Sequence, residues 1–110
     1  MIVSMNIKTD KILLIQQLDL FIEYCLQCES MLLNLGNERD AAIMRDCADL
    51  NVLLYQFIKR RSLLDKALIK CCIESWSLCS ITILEYEQGD TFQKCHELCQ
   101  TCINDFKEYI

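Results

Sequence analysis

Cysteines are the side chains with the most chemistry to offer in this sequence, with nine among 110 residues. Cys25-x-x-Cys28 and Cys99-x-x-Cys102 each place two sulfurs one helical turn apart on the same face, and Cys95 precedes Cys99 by four residues. Two sulfurs so placed can chelate one ion. Thiolates are soft ligands that select Cu(I), zinc or iron–sulfur clusters. Because Cu(I) needs no fixed tetrahedral geometry, the pattern predicts a thiophilic metal site with Cu(I) as the preferred ion.

The elements that must position these thiols are helices. The chain has no proline and only two glycines, so an all-α fold is expected. The predicted helices cover about residues 9–35, 38–61, 62–88 and 91–109. Their ends are assigned from terminating glycines and from cap-like starts, namely Thr9 or Asp10, Gly36, Asn37 with Asp40, Ser62 with Asp65, Gly89, and Asp90 with Gln93.

Each predicted helix carries an apolar seam whose members step alternately by three and four residues, from Leu14 to Leu35 in the first. This spacing and the short connections predict one antiparallel, up-down-up-down four-helix bundle over residues 1–110. About two in seven cysteines would reach a seam by chance. Here all but Cys71 do. The seam cysteines are Cys25, Cys28, Cys47, Cys72, Cys79, Cys95, Cys99 and Cys102.

Counting residues down each helix from the Gly36 and Gly89 turns compares the seam positions across helices. All the seam cysteines except Cys72 fall at similar heights, in a slab on the order of 10 Å deep. The sequence therefore predicts one connected thiol cluster in the upper half of the bundle. Below it the seam residues are ordinary core side chains, with Trp76 and Asn51 at the boundary, and Asn51 is interpreted as a residue that specifies register.

Burying many thiolates without cations is prohibitive, so the apo thiols should be protonated and metal binding should release protons. His96, Met31 and Met44 lie just above the slab and could pass copper inward. Each also has an ordinary explanation, since His96 is next to a seam position and should be exposed, and methionine often fills gaps in cores. Any single seam cysteine could likewise be a small packing residue.

Composition argues against several other functions. The formal charge is −5, and the one basic run, Lys59-Arg60-Arg61, falls at a predicted helix end, so nucleic acid is not an expected partner. The apolar stretch from Ile12 to Ile15 is too short for a membrane span and has no signal-peptide flanks, so we expect a cytoplasmic protein with reduced thiols. A single histidine and no nucleophile–base arrangement predict that the protein is not an enzyme.

The cysteine-bearing segments resemble those of the copper storage protein family, which are cysteine-rich four-helix bundles. The segments are Tyr24-Cys25-Leu26-Gln27-Cys28-Glu29, Arg45-Asp46-Cys47-Ala48-Asp49, the segment from Cys72 to Cys79, and Cys95-His96-Glu97-Leu98-Cys99-Gln100-Thr101-Cys102. The similarity covers about residues 17 to 107. It implies Cu(I) bound by pairs of core cysteines, no enzymatic activity, and a homo-oligomer of bundles with one end open to copper.

The chain departs from that family's pattern where further cysteines would often stand. The residues found there are Phe21, Leu32, Leu35, Asn51, Trp76, Ile83 and Phe106. We therefore expect a copper-binding protein of reduced capacity, with about four Cu(I) ions if each takes two terminal thiolates.

Two alternatives stay open at this point. One is a single structural zinc ion bound by Cys25, Cys28, Cys99 and Cys102, since tetrahedral sulfur sites suit zinc. The other is a structural or interaction bundle that binds no metal.

Overall fold

The computed structural model describes residues 2–86 and 89–109. It contains four helices, α1 (Ile2–Asn34), α2 (Glu38–Lys59), α3 (Asp65–Ile83) and α4 (Asp90–Tyr109), and the described residues form no strand. The all-α prediction is confirmed. None of these helices contains a segment that is long and apolar enough to cross a membrane.

The helices form a closed ring in which each contacts two others. α1 packs on α2 and α4, and α3 packs on the same two. Contacts between neighbours join residues at matching distances from the connecting turns: Arg45 Nε donates to Glu29 Oε2 at 3.0 Å, and Gln17 Nε2 donates to Asp105 Oδ2 at 2.7 Å. Four helices packed in this way form a four-helix bundle.

The α1–α2 turn forms as the sequence predicts. Gly36 has φ +79°, and the Asn37 amide donates to the Leu32 carbonyl at 2.9 Å, which closes the end of α1. The Asn37 side chain then accepts from the Asp40 amide at 3.1 Å and caps α2. Leu35, assigned to the seam from its spacing, lies in this turn and is 64% exposed, because the helix has already ended.

Other helix limits differ from the predicted ones. α1 begins at Ile2, so Thr9 and Asp10 lie inside it and do not start it. α3 begins at Asp65 and not at Ser62, because the Ser62 amide donates to the Phe57 carbonyl at 2.9 Å and so completes the end of α2. α3 ends at Ile83, and residues 87 and 88 of the predicted third helix lie outside the described residues.

The lower half of the core is built around aromatic rings. Trp76 packs edge-on against Phe21 with ring centroids 6.4 Å apart and tilted against Phe106 at 5.0 Å. Asn51 lies beside Trp76 and, like these three rings, is fully buried. We call Phe21, Asn51, Trp76 and Phe106, one residue from each helix, the aromatic layer. It forms the floor on which the upper half of the core rests.

Candidate metal centre

All eight seam cysteines lie in the core. Their side chains are at most 2% exposed, and all are free thiols, whereas Cys71 is exposed. The seam spacing therefore identified the buried thiols one by one. The outward position of Cys71 also follows from its being one residue out of step with Cys72.

Three of these thiols, from three different helices, meet closely. The sulfur atoms of Cys25 in α1, Cys79 in α3 and Cys95 in α4 all lie within 4.8 Å of one another. Among the side chains described, those of residues 11–86 and 89–109, this is the one group of three metal-ligating residues that meets this distance. It is the natural position for a first thiophilic ion, because soft sulfur ligands converge there from three sides.

Further thiols lie near this group and share its electrostatics. Cys95 affects the pKa of Cys28, Cys79 affects that of Cys47, and both affect that of Cys99. We call the connected set the thiol cluster; its members are Cys25, Cys28, Cys47, Cys79, Cys95 and Cys99. All four helices contribute to it.

Cys72 and Cys102 are buried but stand apart from the thiol cluster. Burial raises the pKa of each to about 12, and no thiol hydrogen bond contributes to either shift. Cys72 lies one turn below Trp76 on α3, in agreement with its greater distance in residues from the Gly89 turn. Cys102, which the count of residues from the turns assigned to the slab, lies at its lower edge, one turn above Phe106.

The four cysteines assigned to the zinc alternative are not brought together. No three of Cys25, Cys28, Cys99 and Cys102 have sulfur atoms within 4.8 Å of one another, although all four belong to the described residues. The close group takes one cysteine from each of three helices, because α3 delivers Cys79 between α1 and α4. The sequence spacing within single helices could not reveal this.

Electrostatics keep most of the cluster protonated without metal. Hydrogen bonding to Cys79 and Cys95, together with burial, raises the pKa of Cys25. The pKa of Cys28 is raised by contact with Cys95 and by burial. The pKa of Cys47 is raised by contact with Cys79 and by burial.

The pKa values of the remaining three members shift in opposite directions. Hydrogen bonds from Cys25, Cys28, Cys79 and Cys99 lower the pKa of Cys95, which outweighs its burial. For Cys79, contacts with Cys25 and Cys47 lower the pKa, but contacts with Cys95 and Cys99 and burial leave it raised. Contact with Cys79 lowers the pKa of Cys99, but contact with Cys95 and burial outweigh it, so this pKa is raised. Cys95 is therefore the first thiol to become a thiolate.

The three residues proposed to pass copper inward have different surroundings. Met44 is fully buried, and its Sδ accepts from the Cys79 thiol at 3.6 Å. Met31 is partly buried beside Gly89, whose missing Cβ would lie 3.9 Å from Met31 Cε. His96 is half-buried with Nδ1 2.8 Å from the Ser80 hydroxyl, so its expected exposure is wrong. Of the three, Met44 is the residue that touches the thiol cluster.

The lower boundary of the cluster is a satisfied polar contact. Asn51 Nδ2 donates to the Cys47 carbonyl at 2.7 Å, and Asn51 Oδ1 accepts from Trp76 Nε1 at 2.8 Å. The Asn51 amide is thus engaged at both ends and joins α2 to α3, in keeping with the register role inferred from its seam position. It is not free to bind a metal.

The upper boundary is closed by side chains that the cysteine pattern did not single out. Leu32, Ile83 and Phe92 are buried above the cluster. Tyr86 stacks on Phe92 with ring centroids 5.2 Å apart, and its hydroxyl donates to Asp40 Oδ2 at 2.6 Å. These residues cover the end of the bundle that carries the Gly36 and Gly89 turns. Tyr86 and Asp40 lie far apart in sequence, so only the seam position of Tyr86 and the cap position of Asp40 could have indicated this contact.

Comparison with known proteins gives one positive finding. The family model described as copper storage protein matches residues 13–110 of the chain. No curated protein and no solved structure matches.

Proposed function

Because the chain belongs to the copper storage protein family over residues 13–110, we propose that it stores or buffers copper by binding Cu(I) through its thiol cluster. The observation that carries this proposal is the meeting of Cys25, Cys79 and Cys95 sulfurs within 4.8 Å. Packing alone does not require small polarizable side chains from three helices to converge at one height, since leucine or alanine would fill the same space.

Binding would couple to proton release. Most cluster thiols have raised pKa values and carry protons at neutral pH, so each must lose its proton before it binds an ion. Cys95 has a lowered pKa and supplies the first negative charge. The affinity for Cu(I) should therefore fall as the pH falls, because protons compete with copper for the same sulfurs.

The proposal includes a reduced capacity. Cys25, Cys28, Cys47, Cys79, Cys95 and Cys99 would bind first, while Cys72 and Cys102 at the aromatic layer would be peripheral ligands. Eight seam thiols with two per ion would accommodate about four Cu(I) ions. The aromatic layer supports this limit, because it fills the seam where further thiols would be needed.

Three broader features complete the proposal. A cytoplasmic location would keep the thiols reduced. We also propose that the protein is not an enzyme and that it assembles as a homo-oligomer, as the family resemblance implies. The exposed apolar residues Leu78 and Ile81 on α3 and Leu84 directly after it support an assembly, because they leave apolar surface in water.

The test is an anaerobic titration of reduced apoprotein with Cu(I) in the presence of a competing chelator. The wild type should bind about four equivalents tightly, and the triple variant Cys25→Ala, Cys79→Ala, Cys95→Ala should lose the tightest of them. Cys71→Ala is the matched control, because that thiol is exposed and outside the cluster. Fewer than two tightly bound equivalents in the wild type would reject the proposal.

Elemental analysis of the protein purified from cells separates the remaining alternatives. Copper bound at a stoichiometry above one supports storage or buffering. One zinc ion with no copper uptake would indicate a structural site, and no metal in either experiment would indicate a bundle with a structural or interaction role.

A further inference from the structure

Ser80 is a buried polar residue that the copper-binding proposal does not use. It is 5% exposed, and apart from Asn51 it is the one buried polar or charged residue among the described part of the core. Its hydroxyl lies 2.8 Å from His96 Nδ1 and accepts from Gln100 Nε2 at 3.0 Å. Both partners are on α4, one turn apart, so a single oxygen on α3 holds two successive turns of the neighbouring helix.

These bonds run parallel to sulfur contacts of the thiol cluster. Ser80 directly follows Cys79, and its partners directly follow Cys95 and Cys99. The bonds from Ser80 therefore have the same sequence separations as the contacts of Cys79 with Cys95 and Cys99. Whatever fixes the position of Ser80 relative to α4 also fixes the Cys79 sulfur relative to its two partners.

The physical need for such a device follows from the nature of the sulfur contacts. Cysteine side chains are short, and a slip of α3 by a single residue would move Cys79 by about 1.5 Å along the helix axis. Burial of apolar area has no directional preference, so by itself it distinguishes such positions less sharply than a hydrogen bond does. A hydroxyl bonded to two partners resists such a shift, because moving it would leave a buried polar group unsatisfied.

We propose that Ser80, through His96 and Gln100, is a positioning residue that sets the register of α3 against α4 and so preorganises Cys79 and Cys95, two of the three sulfurs of the first Cu(I) site, and Cys99 beside them. The inference rests on the proposed function for its ligand, but the geometry that it explains belongs to the apoprotein. We call these three residues the Ser80 clamp. It acts on the ligands from outside, as hydrogen-bonded groups around metal sites commonly do.

The first test measures copper affinity in variants that break the clamp from either side, Ser80→Ala and Gln100→Ala. Each should weaken binding of the first Cu(I) ion by about 10- to 100-fold, with the total number of ions unchanged. Ser77→Ala is the matched control, because the Ser77 hydroxyl is exposed on the same helix and donates only to the Ile73 carbonyl of its own helix. Its affinity should equal that of the wild type.

The second test needs no copper. Dibromobimane bridges two thiols only when they are close, and peptide mapping identifies the pair that it joins. In reduced apoprotein the bridge from Cys79 to Cys95 or Cys99 should form more slowly in Ser80→Ala and Gln100→Ala than in Ser77→Ala. If the wild type binds no copper, the proposed function fails, but the bridging rates still decide whether the clamp positions the thiols.

A double-mutant cycle completes the test. Because Ser80 and Gln100 act through one bond, the double variant should lose little more affinity than Ser80→Ala alone. If the single variants melt earlier but keep the wild-type copper affinity and bridging rate, the clamp is merely structural and the proposal is overturned. Fully additive losses of affinity would overturn it as well, because the two residues would then act independently. Gln100 is exposed, so its variant should fold even if Ser80→Ala does not.

Discussion

The two halves of this bundle use the same seam geometry for different purposes. In the lower half the seam positions hold large side chains, with Phe21, Trp76 and Phe106 in mutual contact. In the upper half they hold the small thiols of the thiol cluster, which contact one another through sulfur. Burial of large apolar groups stabilises the lower half in the absence of any ligand. The comparison shows that one half can maintain the fold while the other is specialised for binding.

The boundary between the halves is as informative as their contents. Asn51 bonds to the Cys47 carbonyl on one side and to the Trp76 indole on the other. It thereby links the backbone of Cys47, a member of the thiol cluster, to Trp76 of the aromatic layer. The different contents of the two halves predict that damage to the lower half should change stability far more than ligand affinity, and that damage to the upper half should do the opposite.

The largest expected effect is on stability, from Trp76→Ala. Removing this fully buried ring should lower the free energy of unfolding of the apoprotein by about 3–5 kcal/mol, because a cavity forms and Asn51 loses a partner. Chemical denaturation measures it. Cys79→Ala, which removes one sulfur from the upper half, should cost only about 1 kcal/mol. If folded Trp76→Ala lost first-ion affinity as completely as Cys79→Ala, the separation of the two halves would be wrong.

The next largest effect is that of alkaline pH on the apoprotein. Seven thiols, Cys25, Cys28, Cys47, Cys72, Cys79, Cys99 and Cys102, have folded-state pKa values above the ordinary 9.0. Below pH 9 they are neutral in both states. Above it the unfolded chain loses protons that the folded chain keeps, so stability should fall as the pH rises. The lowered pKa of Cys95 has the opposite effect on stability, but it is a single group against seven.

Denaturation under anaerobic conditions at pH 7.5 and at pH 10 measures this dependence. The copper-loaded protein should show the opposite trend between pH 7.5 and 9, where its stability should rise with pH, because its folded thiols have already lost the protons that the unfolded chain still binds. Replacing Cys25, Cys79 and Cys99 with alanine should flatten the dependence of the apoprotein. An apoprotein equally stable at both pH values would contradict the assignment of the thiols as protonated.

A smaller effect distinguishes two cysteines of the same helix on opposite sides of the aromatic layer. Cys79→Ala should weaken the first Cu(I) ion by more than about tenfold, because it removes a member of the close group of three sulfurs. Cys72→Ala should leave that ion unaffected and lower the capacity by at most one ion, since Cys72 lies below Trp76. Competition titrations of both variants give the comparison. Equal losses of first-ion affinity would place Cys72 in the cluster.

The smallest effect is expected at Cys71, next to Cys72 but exposed. Cys71→Ser should change the free energy of unfolding by no more than about 0.5 kcal/mol, as is usual for surface positions. Cys72→Ser should cost about 1–3 kcal/mol, because it buries a hydroxyl where the Leu50 carbonyl, 4.0 Å from the Cys72 sulfur, is too far for a normal hydrogen bond. Parallel denaturation curves test the pair. A large loss for Cys71→Ser would mean that this surface is covered in solution.

Much of the fold could be predicted from the residue order. The seam spacing identified every buried cysteine, and Gly36 with the Asn37 cap located the first turn, because these signals act within a few residues of one another. The start of α3 was misplaced because Ser62 can serve either as a helix start or as the close of the preceding helix. Leu35 was misassigned because periodicity does not show where a helix ends.

The sequence by itself determined which thiols face inward, since a 3.6-residue repeat converts spacing into a face of the helix. Only the tertiary structure decided which of them meet. The rotation and axial position of α3 between its neighbours join Cys79 to Cys25 and Cys95, and leave Cys102 with Cys72 beside the aromatic layer. Those two quantities depend on contacts between helices, including the bonds of Asn51 with Trp76 and of Ser80 with His96, whose partners are distant along the chain. No spacing within one helix encodes them.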